Sequence, residues 1–172
     1  DEPQKRAIVG CWQVHGCPCG YHGDPTRECS CSPTLVGRYQ KRISGPMLDR
    51  IDIHVDVPRV AYDKLAGEGQ GETSAQMRAR VEAARQRQRE RFRGTRLTCN
   101  ADMGPADVRT HCRVEGPAQS ILKAAVAQMH LSARAYHRIL KVARTIADLE
   151  GSPHIGPSHI AEAVQYRPRV RL

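Results

Sequence analysis

The stretch Leu131-Ser-Ala-Arg-Ala-Tyr-His-Arg-Ile-Leu-Lys-Val-Ala-Arg-Thr-Ile-Ala-Asp-Leu149 decides the fold, because it has a clear helical periodicity. Its apolar positions recur every three or four residues and form one stripe: Ala135, Ile139, Val142, Ile146 and Leu149. A separate basic stripe holds Arg134, Arg138 and Lys141. Ser132 can cap the first turn. The stretch predicts an amphipathic helix over 132–149 that packs against further helices.

Further helical segments lie on both sides of this helix. The patterns predict helices over about 73–92, 105–112, 117–130 and 157–166. Gly94 is placed to end the first of these, and Gly151-Ser-Pro153 separates the last one from the helix over 132–149. The chain after residue 72 therefore reads as a bundle of four or five helices.

The front of the chain has a different character. Residues 1–42 lack helical periodicity and read as loops around a small site, and 44–50 reads as a short helix with Ser44 near its cap. The strict alternation of 51–57 predicts a half-buried strand. The glycine-rich segment 67–72 reads as a flexible link; it carries two carboxylates and no lysine, which argues against a phosphate-binding loop.

The composition favours a helical core and a polyanionic partner. Hydrophobic residues make up 40% of the 172 residues, but aromatic residues only 4%, and the formal net charge is +9. Such a charge favours nucleic acid, nucleotide phosphates or an acidic protein surface, and equally describes a solvated basic surface. No stretch has the length of a transmembrane helix, and the first ten residues lack the apolar core of a signal peptide, so we expect a cytoplasmic protein without a membrane partner.

The cysteines predict a metal site. Cys17-Pro-Cys19 and Cys29-Ser-Cys31 are two CxC pairs separated by nine residues, and four thiolates can enclose Zn²⁺ tetrahedrally. The spacing is tighter than in usual zinc motifs, so oxidised or free thiols are the alternative. His15 and His22 could substitute as ligands, although a nearby histidine is more often a bystander. The isolated cysteines read as ordinary thiols: Cys11, Cys99 and Cys112.

Basic residues at three places could contact phosphates. Arg50 lies at a junction between a short helix and the predicted strand, a rigid setting that would suit an arginine acting on a neighbour's γ-phosphate; the alternative is a salt bridge to Asp49 or Asp52. Arg134 lies in the first turn of its helix, where anions are favoured and a cation is not, although a solvated face is nearly as good an explanation.

The arginine-rich helix 78–93 could follow a nucleic-acid backbone. Pairing of its two glutamates, Glu82 and Glu90, with nearby arginines favours a solvated or interdomain helix instead.

Three long motifs in order resemble one family. They are Cys17-Pro-Cys-Gly-Tyr-His-Gly-Asp-Pro-Thr-Arg-Glu-Cys-Ser-Cys-Ser-Pro33, Arg42-Ile-Ser-Gly-Pro-Met-Leu-Asp-Arg-Ile-Asp-Ile-His-Val55 and the stretch 131–149 quoted above. Together they resemble the C-terminal third of the YifB/ComM proteins, bacterial AAA+ ATPases related to the magnesium-chelatase ATPase subunit. The resemblance covers about residues 16–168.

The resemblance implies a set of roles. Family members are hexameric ATPases that use ATP and Mg²⁺, and ComM proteins act in DNA branch migration during natural transformation. Arg50 matches the arginine-finger position, and Arg134 matches the sensor-2 arginine of the lid. The implied fold is mainly α, with residues 1–58 as a Cys-rich loop and strand remnant of the AAA+ α/β core and 59–172 as the helical lid.

The sequence departs from the family in two respects. The 172 residues contain neither Walker A nor Walker B, so we expect no ATPase activity from this chain alone. The family's Met-Asn-Pro, whose Asn is the sensor-1 residue, is replaced by Val14-His15-Gly16, which puts sensor-1 function in doubt. Two other functions stay open: a free-standing basic zinc-binding module that contacts DNA, and a role in tetrapyrrole metal chelation, which the CxC pairs argue against.

Overall fold

The chain folds into two compact units. The first holds the described residues between Asp1 and Ile51 and between Val55 and Gln70, and the second holds Asp52–His54 with those between Gly71 and Leu172. The computed structural model describes residues 16–24, 26–42, 45–48, 50–55, 57, 60 and 71–167. Several sequence predictions therefore lie outside the described residues: the Cys11 thiol, His15 as a ligand, the Ser44 cap, Asp49 as a partner of Arg50 and most of the glycine-rich link.

The described residues of the first unit include two short helices, α1 (Pro33–Gln40) and α2 (Gly45–Leu48). The prediction of loops throughout 1–42 is wrong for α1. That helix begins because the Ser32 hydroxyl accepts a hydrogen bond from the Leu35 amide and Pro33 supplies a helical φ at the first position. Its eight residues bury only Val36, so they carry too little apolar periodicity to be recognised in the sequence.

The second unit is helical, and the prediction of a mainly α fold is confirmed. Its elements in chain order are α3 (Ser74–Arg91), a 3₁₀ turn (Asn100–Asp102), α4 (Pro105–His111), α5 (Gly116–Gln128), α6 (Ala133–Glu150) and α7 (Pro157–Gln165). Each helix lies within two residues of its predicted bounds. Capping explains this agreement: Thr73 and Gln76 form a reciprocal capping box at the start of α3, and Gly94 adopts a φ of 80° after its end.

Helix α6 organises the second unit, because α3, α4, α7 and the 3₁₀ turn all pack on it. Its buried face is wider than the predicted stripe. Ala135 and Ile139 are buried as predicted, whereas Val142, Ile146 and Leu149 are only partly buried. The remaining buried positions are Leu140, Ala143, Arg144, Ala147 and Asp148. Because several elements pack on α6, its buried face is wider than the predicted stripe and is turned relative to it. The small alanines allow close approach between the helices.

The described residues of the predicted strand, 51–55 and 57, do not form a strand. Ile51 through Val55 and Val57 have no regular structure, although the His54 amide donates to the Tyr166 carbonyl at 2.9 Å. A strand requires a neighbouring strand for its hydrogen bonds, and none occurs among the residues that the structure describes. The alternating apolar side chains are consequently exposed, with Ile53 at 52%, Val55 at 64% and Val57 at 85%.

Candidate functional site

The four cysteines of the CxC pairs converge in the first unit. The Gly20 amide donates to the Cys17 carbonyl at 3.1 Å, and Gly20 has a φ of 84°, which closes the turn around the first pair. The Sγ atom of Cys19 lies 3.3 Å from that of Cys17 and 3.5 Å from that of Cys29. The four Sγ atoms of Cys17, Cys19, Cys29 and Cys31 all lie within 4.8 Å of one another.

This arrangement suits a tetrahedral metal ion. Zn–S bonds of about 2.3 Å in a tetrahedron separate the sulfur atoms by roughly 3.8 Å, close to the measured distances. No disulfide joins these four cysteines, so free thiols are the alternative to a metal site that this structure leaves. His22 is exposed and does not belong to the ligand group, and His15 lies outside the described residues. The cluster could therefore hold a metal such as zinc through four sulfur ligands.

Electrostatics in the cluster also suit a cation. A hydrogen bond from the Tyr21 backbone, joined by one from Cys17, lowers the pKa of Cys19 to about 6. The Cys31 backbone favours the Cys29 thiolate, but desolvation and the neighbouring Cys19 and Cys17 outweigh it and raise the pKa of Cys29 to about 12. The crowded thiols thus resist carrying several negative charges together. A divalent cation among them would remove that repulsion.

The loop between the two pairs is held by side-chain contacts of its own. The Arg27 guanidinium stacks 4.0 Å from the centroid of the Tyr21 ring and donates to its hydroxyl at 2.8 Å. The Asp24 carboxylate accepts from the Thr26 amide and hydroxyl, each at 2.7 Å. These contacts fix the connection that brings Cys29 back to Cys17.

Arg50 lies two residues after the end of α2. Its amide donates to the Met47 carbonyl at 3.0 Å, which continues the turn of the helix, and the residue is exposed. Among the described ion pairs, Asp52 is joined to Arg138 and not to Arg50. Asp49 lies outside the described residues. No ion pair of Arg50 occurs within the described part of the chain.

The basic stripe of α6 separates into tethered and free side chains. Arg138 is paired with Asp52, and the Lys141 ammonium donates to the Ala101 carbonyl at 2.9 Å. Arg134 is exposed in the first turn, beside the Ser132 hydroxyl that accepts from the Ala135 amide at 3.1 Å. Considering only the described residues, Arg134 has no ion pair.

Sequence reasoning missed a buried polar cluster in the second unit. Asp148, fully buried, is paired with Arg91 of α3 and with Arg144 one turn earlier, and its Oδ2 accepts from Asn100 Nδ2 at 2.8 Å. The Arg144 guanidinium also donates to the carbonyls of Ser152 and Pro153. The sequence signal was the Arg144–Asp148 spacing of four, which is the same on an exposed helix face.

Two family models match the chain in succession. Residues 7–65 match magnesium chelatase, subunit ChlI, and residues 71–167 match the C-terminal part of the same subunit. The second match alone covers more than half of the chain. The chain therefore belongs to the magnesium chelatase subunit ChlI family.

Relatives extend this assignment to the YifB and ComM proteins. The chain is 43% identical over 142 residues to the competence protein ComM of Haemophilus influenzae, covering 82% of this chain and 27% of that protein. It is 39% identical over 153 residues to the uncharacterised YifB of Escherichia coli, and 37% identical to that of Salmonella typhimurium, with 88% of this chain and 29% of each relative covered. The chain thus spans less than a third of the length of these relatives. The described helices include none that is long and apolar enough to cross a membrane.

Proposed function

We propose that this chain supplies the arginine finger and the lid of a ComM-type AAA+ ATPase that drives DNA branch migration. The observation that carries the proposal is the exposure of Arg50 and Arg134 without ion pairs among the described residues, while the neighbouring Arg138 and Lys141 are tethered. An arginine that stabilises phosphate charge must be fixed by its backbone and free at its guanidinium. Both positions have this character, and the similarity to ComM supports the assignment.

The two arginines would act on different nucleotides. Arg50, at the end of α2, would reach the γ-phosphate bound by an adjacent subunit and stabilise the charge that develops during transfer. Arg134, at the start of α6, would contact the nucleotide of its own subunit from the lid. The proposed assembly is a hexamer that uses ATP and Mg²⁺. In this proposal the boundary lies near residue 58, with the core remnant before it and the lid over 59–172.

The phosphate-binding loop would come from residues outside these 172, which contain no Walker A motif. The exposed alternating side chains of Ile53, Val55 and Val57 would then be covered by a sheet of the complete ATPase. Zinc held by the four cysteines would have a structural part, fixing the loop that precedes α1 and α2.

The arginine assignments are tested in a complete ATPase that contains this segment. Arg50→Ala is expected to reduce ATP turnover by roughly 10³-fold or more while ATP binding is unchanged, because the finger acts on the transition state. Arg134→Ala is expected to weaken the nucleotide response of the same subunit. Mixing Arg50→Ala subunits with Walker A-defective subunits should restore part of the turnover, since the finger and the phosphate-binding loop belong to different subunits.

The matched control is Arg38→Ala, which removes an exposed arginine of α1. Normal turnover in Arg50→Ala would remove this residue from the finger role, and a loss in Arg38→Ala of equal size would show a general effect of charge. Tight ATP binding by the 172-residue chain alone would contradict the proposed division of labour.

A second candidate function is a free-standing basic module that binds zinc and contacts DNA. The cysteine cluster and the net charge of +9 favour it. Full DNA binding by this chain, together with normal ATP turnover in the Arg50→Ala protein, would favour the module over the ATPase.

A further inference from the structure

The arginines of α3 and of the loop after it fall into two groups, those that contact α6 and those that do not. Eight arginines lie between Arg78 and Arg96, against two glutamates. Two of the arginines serve the fold: Arg87 donates to the Asp148 carbonyl at 2.9 Å, and Arg91 pairs with the Asp148 carboxylate. Packing on α6 therefore explains these two positions, and Arg80 pairs with Glu72 at 2.9 Å.

Three of the others form a row on one side of α3. Arg78, Arg85 and Arg89 are separated by seven and four residues, a spacing that places them on one helix face. All three are exposed. Arg85 and Arg89 also line an open groove together with Glu82, Leu97 and Thr98. We call these three residues the arginine row.

Glu82 lies on the same helix face between Arg78 and Arg85, so the arginine row is neutralised only in part and keeps a net positive charge. The Glu90 carboxylate accepts a hydrogen bond from the Gln86 side-chain amide at 2.7 Å, and Glu82 has no described ion pair. Arg89 donates to the neutral Gln86 side chain at 3.0 Å. The expected pairing of these two glutamates with arginines does not occur among the described ion pairs. That pairing was the reason to interpret α3 as a solvated or interdomain helix.

The length of the arginine row fits the phosphodiester backbone of a nucleic-acid strand. Eleven residues of helix extend about 16 Å at 1.5 Å per residue. Each strand of duplex DNA carries one charge per 3.4 Å of axis, so the row runs beside about five phosphates. Guanidinium groups bind phosphate oxygens in a bidentate manner. No aromatic side chain lies between Arg78 and Arg89, which argues for backbone contact without base reading.

We propose that the arginine row of α3 is a sequence-independent contact surface for the phosphate backbone of DNA. The inference rests on the proposed DNA-directed function and names a surface for it. It requires neither Arg50 nor Arg134, and so it can fail while the nucleotide roles stand. An acidic protein would be the competing partner, but a straight row of arginines along one helix face matches the linear charge of a nucleic-acid strand better.

The test measures binding of the full 172-residue chain to a fluorescent DNA duplex of random sequence without ATP. Replacing Arg78, Arg85 and Arg89 together by Gln is expected to reduce the affinity by on the order of tenfold or more at low salt. The plot of log affinity against log salt concentration is expected to become less steep by about 2.7, because each lost phosphate contact removes about 0.9 from the size of its slope. The triple Lys variant should keep the salt slope, because it keeps the charge.

The matched control removes the same charge from the same unit by replacing Arg109, Arg113 and Lys123, all exposed, with Gln. Retained binding in this control together with the loss in the arginine-row variant supports the proposal. An equal loss in both variants would assign the effect to net charge, and absence of binding by the unsubstituted chain would leave an acidic protein as the partner; either result overturns the proposal. The thermal unfolding midpoint of each variant shows that the fold is intact.

Discussion

Asp148 is the residue on which the second unit depends most directly. Burial alone would raise the pKa of Asp148, but hydrogen bonds from Arg91 and Asn100 and the charge of Arg144 outweigh it, and the pKa lies below its usual range. The carboxylate thereby joins three elements: α3, the 3₁₀ turn and α6. It also compensates two guanidinium groups that would otherwise be partly or fully buried without a counter-charge.

Replacing Asp148 by Asn should lower the free energy of unfolding by about 3–5 kcal/mol, because it removes the charge and leaves both arginines uncompensated. Chemical denaturation at neutral pH measures this loss. Since the folded pKa is lowered, the carboxylate stabilises the protein above the unfolded value of about 3.9, and the stabilisation is lost as pH falls through the folded pKa. The difference between the two proteins should therefore shrink on acidification.

The control for this prediction is Glu115→Gln, which alters an exposed carboxylate that makes no capping hydrogen bond. A change within about 0.5 kcal/mol is expected there. If Asp148→Asn were no more destabilising than Glu115→Gln, the buried cluster would be irrelevant to stability.

Helix α6 shows how capping and packing act together at the scale of an element. Ser132 closes its first turn, and Gly151 ends it with a φ of 84°. The Gly151 amide donates to the Asp148 carbonyl at 3.3 Å, and the Arg87 side chain approaches from α3 to donate to the same carbonyl. The end of α6 is thus both a local stop signal and a docking point for α3.

Gly151→Ala should destabilise the second unit by about 1–2 kcal/mol through the left-handed backbone alone. A further loss is expected because a Cβ atom there would lie 3.0 Å from the Arg87 guanidinium. Gly94→Ala is the matched control, since Gly94 has a φ of 80° and a Cβ atom added to it would meet no described atom within 4 Å. Equal unfolding free energies of the two variants would contradict a role for the Arg87 contact.

At the scale of the whole molecule, the described residues of the two units differ in how much apolar surface they bury. The second unit has an extended core that includes Phe92, Leu122, Ile139 and Ile160. In the first unit, the described buried apolar residues are Cys17 and Val36. The described part of the first unit thus buries little apolar surface, and a bound metal is a common source of stability for such a segment.

Removing metal with a strong chelator should therefore unfold the first unit and leave the thermal transition of the second unit in place. Cys29→Ser should lower the zinc stoichiometry from one per chain toward zero, because three thiolates hold the ion less tightly than four. Cys99→Ser, outside the cluster, should not change it. Metal analysis and calorimetry measure both effects, and a metal-free chain with an unchanged first unit would refute the zinc site.

Local signals in the sequence were enough to predict the helices of the second unit and the set of four cysteines. Capping residues, glycine stops and apolar periodicity act over a few residues, so they can be recognised without the fold. The same reasoning failed at α1, whose eight residues bury a single side chain, and at 51–57, whose alternating pattern finds no pairing partner among the described residues. It also could not distinguish Arg134 from Arg138, because both occupy the same basic stripe.

By itself, then, the sequence determined the helical character of the second unit, the four-cysteine motif and the family. Only the tertiary structure decided which charges are consumed by the fold: Arg91, Arg138 and Arg144 meet carboxylates, whereas Arg50, Arg134 and the arginine row do not among the described residues. The physical reason is range. Periodicity and caps depend on neighbours in the chain, but an arginine's partner, such as Asp148 for Arg91 across 57 residues, is set by packing.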